Sequence, residues 1–380
     1  MTAAPPGWLP AAGAGPEAVI REARRRQHRR WLAAAVATAV VVGGVAAVVA
    51  GSGAGSRPRP PGHQGLPVPG HARPAAPAHP AAALVTVSQT RLPKEYSLSL
   101  AAGYGAVWLP GTGVTYQVDQ ATGKIVRAIR TPGTRGGCLC ASGIAAGAGA
   151  VWVTHGCRGI YRIDPHSGRV TGSLRIAAGG GIAAAGGLLW VIDDRGLLRI
   201  QPRTGQVIGK PNPVGAGGAG ITPGAGALWL TSNGGGPSTS IVYVYRVDLA
   251  TGAVTPLANP TLSDVQAVGA GSLWSSQVER VDPTGRVIAT FFALGPSQVV
   301  FWHGSAWALT LQRSLAFQRI DPATNQATGT PVPVGKPLPA AAAAGMSTPP
   351  AVITAGPTGL WVLDFDRNLL FHLAIRPARA

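Results

Sequence analysis

Residues Gly147–Gly172, GAGAVWVTHGCRGIYRIDPHSGRVTG, contain one complete copy of the pattern that decides the fold of this chain. The pattern is a Gly-containing turn, an apolar run with a Trp, a second apolar run that ends in Asp, and a turn rich in Pro, Ser, Thr and Gly. The Trp recurs at seven positions: Trp108, Trp152, Trp190, Trp229, Trp274, Trp307 and Trp361. Their spacing of 33 to 54 residues scatters around the roughly 40 to 45 residues of a four-stranded propeller blade. The repeat therefore predicts an all-β, seven-bladed β-propeller over residues 83–380.

The local chemistry of one unit explains the strands and turns of this prediction. Runs such as AVWV and GIYRID are rich in β-branched and aromatic residues and are bounded by turn signals, as strands are. Glycines such as Gly147 and Gly149 lie between the first two strands, where a tight hairpin needs positive φ. The third strand ends in a D-P-x-[ST]-G turn such as Asp164–Gly168, in which Asp caps and Gly takes the left-handed position. Gln201 replaces this Asp in the third unit, so we expect a weaker cap there.

The seventh unit is incomplete, and this predicts how the ring closes. After Trp361 the chain offers one more strand, Leu369–Ile375, and no fourth one. The run Ala83–Arg91 precedes the first unit and has no other partner there. We expect this N-terminal strand to complete the last blade and to cover its exposed edge.

The first 82 residues read as a membrane anchor and a spacer. Residues 1–30 form a basic tail that ends in REARRRQHRR, and residues 31–50 are twenty residues without a charge. At about 1.5 Å per residue this run spans a hydrocarbon core of roughly 30 Å. The arginines place the N-terminus in the cytoplasm, and residues 51–82 are a Pro, Gly and Ala-rich linker. We therefore predict a single-pass protein of the cell membrane, with the propeller outside the cytoplasm.

Two alternatives concern this N-terminal region. A signal peptide cleaved near Ala50, after the small residues Val48-Val49-Ala50, would release the propeller as a secreted protein. The linker also carries His63, His71 and His79 at intervals of eight residues. A solvated spacer explains them more simply than a metal site does.

The charge balance suggests anionic partners. The chain has a formal net charge of +18, and residues 83–380 hold 23 Lys and Arg against 12 Asp and Glu. Such a surplus attracts polyanions by long-range electrostatics, and for an exported domain these would be cell-envelope polymers or lipid headgroups. No nucleic-acid-binding signature is present, and we expect no nucleic-acid partner. The alternative is a solvated surface shaped by the Arg-rich coding usage of a GC-rich bacterium.

Three cysteines fall in two neighbouring loops of the predicted second blade. Cys138 and Cys140 precede its first strand, and Cys157 follows its Trp strand. Both loops emerge on the same face of a propeller, so a disulfide from Cys157 to Cys138 or Cys140 is expected in an oxidising compartment. The alternative is a metal site that these cysteines share with His155.

The frame G-x-[VL]-W, followed by [VI]-D-P-x-[ST]-G, resembles the seven-bladed propellers of the virginiamycin B lyase-like and YVTN-type families. The resemblance extends from Leu84 to about Arg376. It implies the seven-bladed ring, and for the lyases it implies glutamate and histidine acting with magnesium. Lyase blades commonly carry W-F-T-E, with an acid three residues past the Trp. The gluconolactonase-like propellers hold a divalent metal with Glu, Asn and Asp, a set that has no match here.

The positions three past each Trp are the candidate site. We expect them to surround the mouth of the central channel: Gly111, His155, Asp193, Ser232, Gln277, Thr310 and Asp364. None of them is Glu. Only His155, Asp193 and Asp364 titrate, which is a sparse set for holding a cation and positioning a base. Loop packing for His155 and turn capping for the two aspartates are the simpler explanations, and the seven tryptophans are expected to pack the core.

These observations favour a binding or scaffold module over an enzyme. The main hypothesis is a membrane-anchored propeller that binds a cell-envelope ligand or protein on its loops, without a cofactor. The alternative is a metal-dependent lyase or hydrolase, with Mg or another divalent cation at rearranged ligands His155, Asp193 and Asp364. A sensor whose short tail recruits a cytoplasmic partner is a third option.

Overall fold

The computed structural model describes most of the chain after residue 82. The described residues are 83–93, 99–131, 143–155, 159–176, 178, 181–214, 217–233, 242–257, 262, 264–291, 298–311, 314–337 and 351–376. All of them belong to one compact unit, Ala78–Ala380. The predicted tail, membrane span and linker, residues 1–82, lie outside the described residues. Within the described residues there are strands, turns and loops but no helix, and hence none that would cross a membrane.

The described strands form seven antiparallel sheets, six with four strands and one with three. The first strands are β2 (Ala101–Gly103), β6 (Ile144–Gly147), β10 (Ile182–Ala185), β13 (Gly217–Gly224), β17 (Ala267–Gly269), β21 (Gln298–Trp302) and β25 (Ala351–Gly356). The second strands are β3 (Ala106–Gly111), β7 (Ala150–Thr154), β11 (Leu188–Asp193), β14 (Ala227–Asn233), β18 (Ser272–Trp274), β22 (Ser305–Leu311) and β26 (Gly359–Asp364). The third strands are β4 (Val114–Asp119), β8 (Ile160–Ile163), β12 (Gly196–Ile200), β15 (Val242–Asp248), β19 (Glu279–Val281), β23 (Leu315–Asp321) and β27 (Leu369–Arg376). The outer strands are β5 (Ile125–Arg130), β9 (Val170–Leu174), β16 (Val254–Pro256), β20 (Val287–Thr290), β24 (Gln326–Pro333) and β1 (Ala83–Arg91).

The sheets are the blades of a ring, as the repeat predicts. Each first strand contacts the first strands of the neighbouring sheets, and the series closes from β25 back to β2. The last blade has the strand order β1-β27-β26-β25, and β1 pairs with β27 from Ala83 opposite Arg376 to Arg91 opposite Leu369. The predicted closure by the N-terminal strand is therefore confirmed. An edge strand that would otherwise be open is paired over its whole length.

The core lies at the junctions between blades. The buried apolar side chains of the described residues fall into seven clusters, one at each junction. In each cluster the Trp of one blade packs on the second strand of the next: Trp108 packs near Val151, and Trp361 near Val107. All seven tryptophans are at most 5% exposed. Their predicted role in core packing is confirmed.

The turn between the first two strands uses its residues differently from the prediction. In GAGA, positive φ falls on Ala148 (51°) and Gly149 (76°), as a two-residue type I′ hairpin requires. Gly147 is not one of the positive-φ residues. A Cβ on Gly147 would lie 2.7 Å from the Ala184 Cβ of the third blade. The first glycine therefore serves close packing between blades rather than turn conformation.

The turns after the third strands are capped as predicted. The Asp164 carboxylate accepts hydrogen bonds from Ser167 N at 2.7 Å and from Ser167 Oγ at 2.8 Å. Asp119, Asp248 and Asp282 make the matching bonds to Thr122, Thr251 and Thr284. Asn325 takes the left-handed position with φ 55°. These bonds hold the pKa of each of the four carboxyls below its usual value.

Two faces of the ring follow from this topology. The turn face carries the hairpins between first and second strands and the turns after the third strands. The loop face carries the connections from second to third strands and those from one blade to the next. The ends of the Trp strands therefore lie on the loop face.

Candidate functional site

All seven candidate positions lie where the second strands end on the loop face. Gly111, Asp193 and Asp364 are the last residues of their strands. Ser232 and Thr310 are one residue from the end, and His155 and Gln277 follow their strands. Gln277 is half-buried, and the other six are buried. That this set forms a functional site stays a prediction.

His155 is held inside the protein rather than open to solvent. Its side chain is 1% exposed, and its Nε2 lies in hydrogen-bond contact with Thr131 Oγ1 of the first blade at 2.9 Å. The Tyr161 ring meets the imidazole edge-on, with centroids 5.5 Å apart. Burial lowers the pKa of His155. The imidazole therefore joins two blades in its neutral form.

The two aspartates are bound to arginines of their own turns. Arg195 donates from its backbone N to Asp193 Oδ1 at 2.9 Å, and from Nη2 to Oδ2 at 2.6 Å. Arg367 donates from N to Asp364 Oδ1 at 3.1 Å and from Nη1 to Oδ2 at 3.2 Å. Burial raises the pKa of Asp364, against the opposing effect of Arg367. Both carboxylates cap turns, so their negative charge is already compensated.

The neutral members of the set add few reactive groups. Thr310 Oγ1 donates to the Ala316 carbonyl of the third strand at 3.2 Å. Ser232 is 1% exposed, and Gly111 contributes no side chain. Across the described residues no three His, Cys, Asp or Glu side chains are grouped so that they could hold a metal ion. The donor set seen there does not fit the magnesium centre that the lyase resemblance implies.

The cysteines lie outside the described residues. Residues 132–142, with Cys138 and Cys140, and residues 156–158, with Cys157, are not described. The predicted disulfide and its alternative, a metal site with His155, both stay predictions.

A recurring residue opposite each Trp is a feature that the sequence analysis missed. In five blades the third-strand partner of the Trp is an arginine: Arg162, Arg199, Arg246, Arg280 and Arg319. It is Gln117 in the first blade and His372 in the last. The signal is visible as Arg followed by an apolar residue and Asp, as in YRID. The pattern alone does not reveal a role for the arginine, because the partner groups belong to the neighbouring blade.

Three of these side chains connect one blade to the next. Arg199 Nη1 donates to the Ala250 carbonyl at 3.1 Å, and Gln117 Nε2 donates to the Pro165 carbonyl at 3.4 Å. Arg280 Nη1 donates to the Pro322 carbonyl and to Asn325 Oδ1. Each acceptor lies in the capped turn of the following blade. The capped turns are thus docking points for the blade before them.

The junction between the sixth and seventh blades departs from this repeat. In six blades the Trp indole N–H donates to the carbonyl five residues earlier, for example from Trp152 to Gly147 at 3.2 Å. The equivalent acceptor for Trp361 is Gly356 O, but Trp302 Nε1 donates to it at 2.9 Å. Trp361 Nε1 is buried without a partner. Its ring instead stacks on His372, with centroids 4.1 Å apart and planes at 3°.

Comparison with known proteins supports the fold alone. No protein-family model matches the chain, and no curated protein matches it. Among solved structures, BamB from Moraxella catarrhalis has a TM-score of 0.51 at 12% identity, over 79% of this chain and 100% of that one. The WD40 repeats of RRP9 give 0.55 at 11% identity, over 79% and 98%. U3-55K gives 0.54 at 10% identity, over 77% and 98%. The chain is a β-propeller, and the virginiamycin B lyase-like assignment stays a resemblance.

Proposed function

We propose that this protein is a membrane-anchored, extracytoplasmic propeller that binds a cell-envelope ligand or protein through its loop face. The observation that carries the proposal is a contrast in length between the two faces. Every hairpin between first and second strands has two residues, whereas the loop-face connections range from two residues (194–195) to seventeen (334–350). The turns between third and outer strands have four to six residues, so the wide variation in length is on the loop face, which suits recognition by loops. The surplus of basic residues in the propeller, 23 Lys and Arg against 12 Asp and Glu in residues 83–380, favours an anionic envelope polymer or an acidic protein surface.

The bonds of the candidate residues support binding over catalysis. A general base or a metal ligand needs a group that is free to meet the substrate. His155 contacts Thr131, and Asp193 and Asp364 are bound by Arg195 and Arg367. These contacts serve the blades and turns themselves. The buried set therefore stabilises the loop face from beneath, and the loops above it present the binding surface.

The test is binding of the full-length protein, kept in detergent, to envelopes of the source cells from which lipid has been extracted, so that the anchor itself contributes no binding. One variant replaces loop residues 234–241 by a two-residue Asn-Gly turn, and the control changes the hairpin Ala148–Gly149 on the opposite face to Asn-Gly. We expect the loop variant to lose binding and the hairpin control to keep it, with both unfolding near the wild-type temperature. Loss of binding in the hairpin control alone would refute recognition by the loop face.

Metal content separates this proposal from the lyase alternative. A metal-dependent lyase with ligands at His155, Asp193 and Asp364 requires about one divalent ion per chain, and Asp193→Ala would remove it. We expect no stoichiometric metal by mass spectrometry after dialysis against Mg²⁺, and no change in thermal midpoint on chelation. A bound ion that depends on Asp193 would establish the alternative.

A further inference from the structure

Three consecutive blades carry an exposed arginine where the outer strand reaches the loop face. Arg91 is the last residue of β1 in the seventh blade, Arg130 is the last of β5 in the first, and Arg175 directly follows β9 in the second. After Arg91 and Arg130, the next residue makes one more backbone hydrogen bond towards the third strand. All three side chains are exposed. These residues form an arginine arc on the rim, the outer circumference of the ring.

The fold does not require arginine at this position. In the fourth, fifth and sixth blades, the residue before the matching backbone bond is Pro256, Thr290 and Pro333. The six outer strands among the described residues contain no Asp or Glu. The charge is also unevenly distributed along the chain, with 14 Lys and Arg against 5 Asp and Glu in residues 83–214, and 9 against 7 in residues 215–380. The arc therefore lies in the basic sector of the ring.

The described residues do not neutralise the arc. Their ion pairs join Arg195 to Asp193 and Arg367 to Asp364. In the described part of the seventh, first, second and third blades, the exposed carboxylates are Asp194 and Asp366. Both lie in loops between second and third strands, which are closer to the ring axis than the outer strands are. The guanidinium groups of the arc thus face solvent on the rim.

The positions of these arginines restrict the kind of ligand. A guanidinium fork matches the oxygens of phosphate or carboxylate, but a single exposed ion pair contributes little. A ligand must therefore contact several blades at once. Release of counterions rewards such contacts most when the ligand is a densely charged linear polymer, as a phosphate polymer is. A flat bilayer against the loop face would also meet the three blades without a cation here, whereas a flexible chain can follow the rim.

We propose that the arginine arc binds a linear phosphate polymer of the cell envelope, which lies along the rim of the seventh, first and second blades. This inference rests on the proposed function for the location of the polymer outside the cytoplasm. It adds the chemical class of the ligand and the sector of the ring that holds it. The loop 234–241, which tests the proposed function, belongs to the fourth blade and lies outside this sector. The two proposals can therefore fail separately.

The experiment is a titration of fluorescently end-labelled inorganic polyphosphate with the full-length protein in non-ionic detergent, followed by anisotropy at several salt concentrations. In every protein tested, Gln replaces the six arginines of residues 21–30, so that the basic tail does not contribute. The arc variant combines Arg91→Gln, Arg130→Gln and Arg175→Gln. All three side chains are exposed, so we expect this variant to fold normally.

A matched control removes three exposed charges from the opposite face. Lys124, Arg169 and Arg286 follow the capped turns of the first, second and fifth blades, where their carbonyls close the turns. The control combines Lys124→Gln, Arg169→Gln and Arg286→Gln, and it has the same net charge as the arc variant. A difference between the two variants therefore reports position rather than total charge.

We expect saturable binding that the arc variant weakens by about tenfold or more, because three charge pairs are lost, and the control by less than about threefold. The slope of log Kd against log salt should fall by about two in the arc variant alone. Absence of binding at physiological salt, or equal weakening in both variants, would overturn the proposal. Displacement by polyglutamate at equal charge would assign the arc to carboxylate polymers, and displacement by mixed micelles of detergent and phosphatidylglycerol would assign it to lipid headgroups. Either result would also overturn it.

Discussion

At the scale of single residues, hydrogen bonds made by polar side chains hold the turns and blades of the ring together. Asp164 caps a turn, His155 joins two blades, and the Trp152 indole N–H closes its hairpin. Six buried side-chain polar atoms of the described residues have no partner, and two of them, Trp361 Nε1 and His372 Nδ1, belong to one stacked pair. A buried polar atom without a partner costs about 1 to 3 kcal/mol. Flat stacking of the two rings offsets part of this cost.

The buried histidines predict a loss of stability on mild acidification. Burial lowers the pKa of both His155 and His372, whereas an unfolded chain protonates histidine near about 6.5. Below that value the unfolded state binds more protons, so the stability falls as pH drops towards the folded pKa. We expect the free energy of unfolding in urea to decrease between about pH 7.5 and pH 5.5, by about 1.4 kcal/mol for each unit by which one pKa is lowered.

The substitution His372→Gln tests the origin of this slope. It should flatten the pH dependence, whatever its own effect on stability at pH 7.5. His166→Gln is the control, because His166 is exposed in a capped turn, and an equal flattening in this variant would contradict the assignment of the slope to His372. The four turn aspartates do not contribute to the slope between pH 7.5 and pH 5.5, because their lowered pKa values affect the free energy of unfolding only below about pH 4. The pKa of Asp364 is raised by burial, so this group increases the free energy of unfolding as the pH falls and opposes the effect of the histidines. The comparison of His372→Gln with His166→Gln is therefore the decisive measurement.

The third blade offers a stabilising substitution. Its turn keeps the backbone bond from Gly205 N to Gln201 O at 2.8 Å and has Thr204 where Asp164 finds Ser167. Gln201→Asp should accept hydrogen bonds from Thr204 N and Oγ1, and raise the free energy of unfolding by about 0.5 to 1.5 kcal/mol. Gln201→Glu, with a longer side chain, is the control in urea titrations. Equal gains in both would attribute the effect to charge alone.

At the scale of elements, local chemistry explains which strands could be predicted. Strands two and three of each blade follow from the Trp run and the run before Asp, because both are bounded by turn residues. The repeat predicts four strands in the third blade, but its outer segment does not form a regular strand. It makes only isolated pairs, Leu197 with Asn212 and Ile200 with Val207. Pro211 and Pro213 lack the N–H groups that a regular strand would donate.

Contacts between elements account for what the sequence analysis missed at the site. The repeat places the ends of the Trp strands on one face, as predicted. It does not reveal that Asp193 and Asp364 bind arginines of their own turns, since these bonds depend on side-chain geometry. Likewise, Gly356 O accepts its hydrogen bond from Trp302 of the sixth blade instead of from Trp361 of its own blade. This bond depends on two blades that meet only in the folded ring. Local patterns therefore predicted the strands and turns better than the bonds at the site.

The closing strand should protect the protein against aggregation. Strand β1 is hydrogen-bonded along β27, and Thr90 Oγ1 also donates to the Gly123 carbonyl of the first blade. A chain that starts at residue 93 exposes the apolar edge LLFHLAIR, which is a template for pairing between molecules. We expect this chain to form soluble aggregates by size-exclusion chromatography with light scattering. A chain that starts at residue 81 should be free of them, and a peptide of residues 83–92 should rescue the shorter chain. A monodisperse shorter chain without the peptide would show that β1 is dispensable.

At the scale of the whole molecule, stability is distributed over seven similar junctions. Each has a Trp in its core, and three also have a side chain that reaches the next blade's capped turn. In a closed ring every blade has two neighbours, so no terminal blade is available from which unfolding could begin, unlike in an open repeat array. A weakened junction should therefore lower the stability of the entire ring rather than release one blade.

Arg280 provides the test of this view. Its guanidinium donates to Ser272 Oγ at 2.9 Å and to Asn325 Oδ1 at 2.6 Å, and it lies over the Trp274 ring at 5.7 Å. Arg280→Met keeps the length of the side chain but removes the bonds to the sixth blade. We expect a loss of about 1.5 to 3 kcal/mol in a single urea transition seen equally by Trp fluorescence and circular dichroism. Arg246→Met, opposite Trp229 and without a hydrogen bond to the next blade among the described residues, should cost less than about 1 kcal/mol. Two separate transitions in Arg280→Met would show instead that the blades unfold individually.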